Sequence, residues 1–182
     1  MMNDPFLEAL DVKTEESAMR NAIQSALQHN KTYRDGVGDP KRKQFRTEWA
    51  TFIRNESIRY TQPVSDVQHC ESITRISDGL SSKFGGYLIN GRLRYGTSQK
   101  AFNLHLKFLW RMGKAATPPH CPVDGIMLKE AGINEKWTKC DAKEEYMNWV
   151  TALRVKASPR SLAEWEYDVW YQDWLRRRAS RE

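Results

Sequence analysis

Apolar residues recur at three- and four-residue spacing along most of this chain, and that periodicity confines it to helices. From about Thr14 to His29, Met19, Ile23, Ala26 and Leu27 share one face. Phe45, Trp49, Phe52 and Ile53 form a second stripe. It opens at Asp39-Pro40, with Asp39 as the expected cap and proline in the first turn, and it closes before Pro63. A third stripe, Val67, Cys70, Ile73, Ile76 and Leu80, follows the capping box Ser65-Asp66-Val67-Gln68 and reaches about Ser82. Asp141-Ala142-Lys143-Glu144 is expected to cap a helix bearing Tyr146, Trp149, Val150 and Leu153. Ser161-Leu162-Ala163-Glu164 opens another, with Trp165, Val169, Trp170 and Trp174, and Arg176-Arg177-Arg178 sits where cations suit a helix C-terminus. The expectation is an all-α fold, a single compact helical domain over 1–182, with length enough for two lobes.

The pattern breaks between Phe84 and Gly96, where four glycines and an Asn90-Gly91 turn lie. The stretch reads either as a short β-hairpin or as a tight helix–loop. Beyond it, Lys100 to Met112 is helical and apolar on most sides, as a buried helix would be. A proline loop follows. Pro118 and Pro119 force extended backbone, Pro122 stiffens the approach, and the loop delivers Asp124 just before a short helix from Ile126 to Ala131. A carboxylate on a stiff loop beside a helix that opens with a lysine is a candidate catalytic pair. Asp124 would act as base or charge stabiliser and Lys100 as nucleophile. Both residues have plainer uses, Asp124 as a helix cap and Lys100 as a surface lysine on a first helical turn, contacting phosphate or nothing.

The formal net charge of +6 and the sequence pI of about 9.3 fit a polyanionic partner. The turn ending at Gly96 offers backbone N–H groups at a helix start, and Arg92, Arg94, Thr97, Ser98 and Gln99 surround it with donors. A second basic cluster, Lys41-Arg42-Lys43 with Arg46, reads as a solvated surface. Cys70, Cys121 and Cys140 are three widely spaced cysteines, expected to be buried free thiols. His69-Cys70 and His120-Cys121 lack the close-paired spacing of a zinc site, so no metal and no cofactor are expected. No apolar run approaches the roughly 20 residues of a membrane span. The N-terminal M-M-N-D-P-F-L-E-A-L lacks a signal-peptide pattern, so a cytoplasmic location away from membranes is expected.

The segment 91–128 resembles the helix–hairpin–helix DNA glycosylase superfamily, and is most similar to its archaeal 8-oxoguanine glycosylase type. The matching pieces are Gly96, Lys100-Ala101 and Pro122-Val123-Asp124. In this chain the hairpin glycines are Gly91 and Gly96, with three residues between Gly96 and Lys100. The resemblance implies a monomeric enzyme that extrudes a modified nucleotide from duplex DNA and cleaves its N-glycosidic bond. Asp124 would be essential, and Lys100 would add lyase activity if it attacks the sugar. His120 and Trp110 would line the base pocket, while Arg92, Arg94, Gly96, Thr97, Ser98 and Gln99 would hold the DNA backbone. A damaged base would imply repair, and a modified viral base would imply defence. The alternative is a non-enzymatic helical DNA-binding or adaptor protein that keeps the hairpin without the chemistry. A helical protein-interaction domain would account for the tryptophans but not for the stiff loop.

Overall fold

Local capping chemistry starts most of the helices. The computed structural model describes residues 4–28 and 30–180. The Asp4 carboxylate accepts from the N–H groups of Phe6 and Leu7 and begins α1 (Pro5–Ala9). Thr14 and Ser17 cap each other at the start of α2 (Glu15–Leu27). The expected end of that helix at His29 lies outside the described residues. In α3 (Asp39–Ser57) the cap is Gly38, and Asp39 is already helical, so its charge favours the first turn without a side-chain cap bond. The Ser65–Gln68 box opens α4 (Asp66–Phe84), two residues longer than expected. After α5 (Tyr95–Arg111), Asp124 caps α6 (Gly125–Glu130). The next helix, α7 (Lys143–Ala157), starts at Ala142 without a side-chain cap. Asp141 is not its cap, because its carboxylate turns toward Arg92 and Arg94 instead. The Ser161–Glu164 box opens α8 (Leu162–Ala179). Among the described residues these are eight helices and no strand, so the fold is all-α.

The glycine-rich break resolves into two 3-10 turns, Gly85–Tyr87 and Ile89–Gly91, and not into a β-hairpin. Asn90 and Gly91 both have positive φ, the conformation that an Asn-Gly pair adopts most readily. Helices α4 and α5 are thus joined by a tight helical connection, tied to the 32–34 segment by a bridge between Tyr33 and Leu88.

Helix α5 is the axis of the molecule. Every residue from Tyr95 to Leu109 except Lys100 is buried, and the helix touches α2, α3, α4 and α7. It begins five residues before the expected Lys100, because the first turn is held by packing that its local sequence does not announce. One apolar cluster joins α5 to α3, α4 and α7 through Trp49, Ile73, Phe102, Leu106 and Val150. A second joins it to α1 and α2 through Phe6, Ala18, Ala22, Leu104 and Phe108. Small alanines on α2 let the two helices approach closely. Val67, expected on a core stripe, is exposed at the N-terminal end of α4. No described helix is long and apolar enough to cross a membrane.

Candidate functional site

Gln99 and Asn103 lie one turn apart on α5 and carry side-chain amides into a buried position. The loop from Cys121 to Val123 runs beside them. Gln99 Nε2 donates to the Val123 carbonyl at 2.6 Å, and its Oε1 accepts from the Val123 N–H at 3.2 Å. Asn103 Nδ2 donates to the Cys121 carbonyl at 2.9 Å and contacts the Tyr146 hydroxyl at 3.0 Å. Two side chains thereby supply the backbone partners that a neighbouring strand would give, and a buried backbone needs such partners.

The clamp brings Asp124 to Lys100 across 24 residues of sequence. Lys100 Nζ donates to Asp124 Oδ2 at 2.5 Å, while Oδ1 accepts from the N–H groups of Ile126 and Met127 at 3.0 and 3.3 Å. The two side chains are 11% and 25% exposed, so the pair sits at the edge of the interior with a path to solvent. Burial works to raise the Asp124 carboxyl, but the Lys100 ammonium and the two N–H donors outweigh it and hold it below the usual carboxylate range. Asp124 is therefore a stable anion that caps α6 and faces an amine. Such a carboxylate can oppose positive charge developing on a bound sugar and can accept a proton.

The same side of α5 carries two further cations in contact with carboxylates, a feature that periodicity does not reveal. Lys107 meets Glu166 of α8 at 2.9 and 2.7 Å, with side chains only 4% and 7% exposed. The Lys107 ammonium also lies 4.2 Å from the centre of the Phe6 ring. Burial pulls the Lys107 amine down and pushes the Glu166 carboxyl up. Arg111 Nε donates to Asp4 Oδ2 at 2.6 Å. The available signal is a lysine inside the apolar run Leu104-His105-Leu106-Lys107-Phe108-Leu109.

His120 is placed differently from the expected pocket wall. It is 1% exposed and both ring nitrogens are engaged. Nε2 lies 3.1 Å from Asp66 Oδ1, and Nδ1 lies 2.8 Å from the Tyr146 hydroxyl. A carboxylate only accepts, so Nε2 carries the proton and Nδ1 accepts from Tyr146. Arg154 grips Asp66 with two bonds of 2.6 and 2.7 Å and donates to the Pro119 carbonyl at 3.2 Å. The Arg154 and His120 donors hold the Asp66 carboxyl far below its ordinary range. This network anchors the proline loop from below, and its histidine has no free face for a base. Trp110, ten residues beyond Lys100, is about three turns away along α5. It packs near Tyr167, with the Arg111 guanidinium 4.9 Å from its ring centre. It therefore does not line a pocket with Asp124.

The expected backbone-binding turn is also corrected. Thr97, Ser98 and Gln99 are fully buried, and Gly96 is buried with them. The Gly96 N–H bonds the Cys140 carbonyl at 3.0 Å, and a Cβ at this position would collide with the Trp137 carbonyl oxygen. Glycine is required there for close packing of the 137–140 turn against α5, not for a phosphate. Thr97 is bonded by Asn30, Ser98 donates to the Ile73 carbonyl at 3.3 Å, and Gln99 forms the loop clamp. The N-terminus of α5 is consequently closed to an anion. Arg92 and Arg94 keep partly exposed side chains, at 3.6 and 3.9 Å from Asp141, and Arg94 also donates to the Thr138 carbonyl.

The three cysteines are buried and free, and no group of three or more metal-binding side chains converges among the described residues. Clefts of about 700, 470 and 410 Å³ lie elsewhere, between α2 and α3, between the proline loop and the α7–α8 turn, and between α4 and α7. No family model, curated protein or solved structure matches the chain.

Proposed function

We propose that this protein is a DNA glycosylase in which Asp124 and Lys100 release a modified base from the sugar. The observation that supports this reading is the Lys100–Asp124 pair itself, assembled by a clamped loop and left with a path to solvent. Asp124 Oδ2 stands where it can accept the Lys100 proton. The freed amine attacks the anomeric carbon as the bond to the base breaks. The electron pair leaves with the base, which takes up the proton that Asp124 had accepted and so restores the carboxylate. The sugar ring then opens to a Schiff base on Lys100 as the ring oxygen takes a proton from the attached nitrogen. The Asp124 carboxylate opposes the positive charge on the sugar during this step, as in glycoside cleavage generally. The nucleotide reaches the pair in an extruded form, because base chemistry inside a duplex stack is sterically blocked.

A second reading is favoured by the double use of Asp124 as helix cap and ion-pair partner, and by the closed start of α5. In it the pair is a structural clasp in a non-enzymatic helical protein. The two readings separate on duplexes that each carry one modified base, treated with the protein and then with alkali. The enzymatic reading expects a nicked strand for at least one base. Intact strands throughout would leave the clasp.

A further inference from the structure

The groove between α2 and α3, of about 700 Å³, has an aliphatic floor made by Met19, Ile23, Leu27 and Ala50. Its rim carries four exposed cations, Arg20, Lys43, Arg46 and Arg54, against one carboxylate, Glu16. None of the four forms an ion pair within 4.0 Å among the described residues. Some cations elsewhere are matched, as in Arg75 with Glu56 and Arg154 with Asp66, while others such as Lys41, Lys129 and Lys156 also form no ion pair among the described residues. The groove differs in gathering four cations without ion pairs around one apolar strip. The groove thus combines a recessed apolar strip with an excess of positive charge, three cations on the α3 edge and Arg20 beside Glu16 on the α2 edge.

We propose that this groove docks an acidic amphipathic helix of a protein partner. An apolar stripe at three- and four-residue spacing would lie on the aliphatic floor, and carboxylates flanking the stripe would meet Arg20, Lys43, Arg46 and Arg54. The 13 residues of α2 give the groove a wall about 20 Å long, enough for about three to four turns of a bound helix. Charge of this kind speeds encounter and selects the partner, while the floor supplies the apolar burial. A nucleic acid fits less well. Its phosphates would meet the rim, but the floor has no aromatic ring on which a base could stack. The inference does not depend on base excision by Lys100 and Asp124, which lie outside the groove.

The test is fluorescence anisotropy with the full chain and three probes. The first is a peptide of about 18 residues with leucine at helical spacing and glutamate elsewhere. The second has the same composition reshuffled to leave no apolar face, and the third is a thymidine oligonucleotide of about 20 nucleotides. The patterned peptide is expected to bind at least about tenfold more tightly than either of the others. Arg20→Glu with Arg46→Glu, both exposed, should weaken it at least about tenfold while circular dichroism stays unchanged. Lys43→Glu with Arg54→Glu provides a second charge reversal should the first pair disturb the fold. Equal binding of the patterned and reshuffled peptides would overturn the proposal, as would failure of all three probes to bind. Tighter binding of the oligonucleotide, lost on charge reversal, would overturn it in favour of a nucleic-acid surface.

Discussion

Asp124 does two things with two oxygens, and a single substitution separates them. An amide in place of this carboxylate would keep an oxygen for the Ile126 and Met127 N–H groups, and asparagine caps helices about as well as aspartate. It removes the charge that faces Lys100. Asp124→Asn is therefore expected to fold, to keep α6, and to lose base release by on the order of 10²-fold or more. Single-turnover release, read beside a melting curve, checks this. A folded Asp124→Asn protein with undiminished release would remove the carboxylate from the chemistry. The buried Lys107–Glu166 pair invites the same kind of thought, but with the opposite emphasis. Its charges are dry, and losing one partner would strand the other inside α5 and α8.

At the scale of elements, the loop from Pro118 to Asp124 is held by amides on α5. Gln99→Leu would leave the Val123 N–H and carbonyl unpaired in the interior, at a cost of about 1–3 kcal/mol for each group. The expected result is lower global stability, together with loss of hydrogen-exchange protection at Val123 and freer movement of Asp124. Unchanged protection at Val123 would show that the prolines alone hold the loop. The helices are legible in the sequence because stripes such as Ile73–Ile76–Leu80 and boxes such as Ser65–Gln68 are local signals. Asp124 and Lys100 can be singled out by the stiff loop and the helix start. The fate of Thr97, Ser98 and Gln99 cannot, because their partners at residues 30, 73 and 123 are distant in sequence. A polar residue at a helix start looks the same whether it faces a phosphate or a buried carbonyl. His120 is illegible for a related reason, since Asp66 and Tyr146 come from other helices.

Across the whole molecule, three buried histidines set the response to acid. Burial, the leading cause, brings His105 down to about 4, with the nearby Arg54 charge also lowering it and Glu15 opposing. Burial likewise lowers His69 and His120. The ordinary value is about 6.5. Above it, folded and unfolded chains are both neutral at these sites, and no stability depends on them. Below it the unfolded chain binds protons that the folded chain refuses, so stability falls from about pH 6.5 down to about 4 for His105. Asp124 and Asp66, both held below the carboxylate range, lose their contribution only at lower pH, beneath about 3.8. The melting temperature should therefore drop between about pH 7 and pH 5, and His105→Leu should make that drop shallower. A flat profile in the wild type would contradict the neutral burial of these rings.

The central claim is that the Lys100 amine and the Asp124 carboxylate act together on a nucleotide sugar, and borohydride trapping tests it most directly. The protein is incubated with duplexes bearing single modified bases, reduced, and resolved by denaturing electrophoresis. The account predicts a covalent protein–DNA adduct with the substrate base, abolished in Lys100→Gln together with strand cleavage. An adduct that persists in Lys100→Gln, or base release that leaves an intact abasic strand and no adduct, would contradict it.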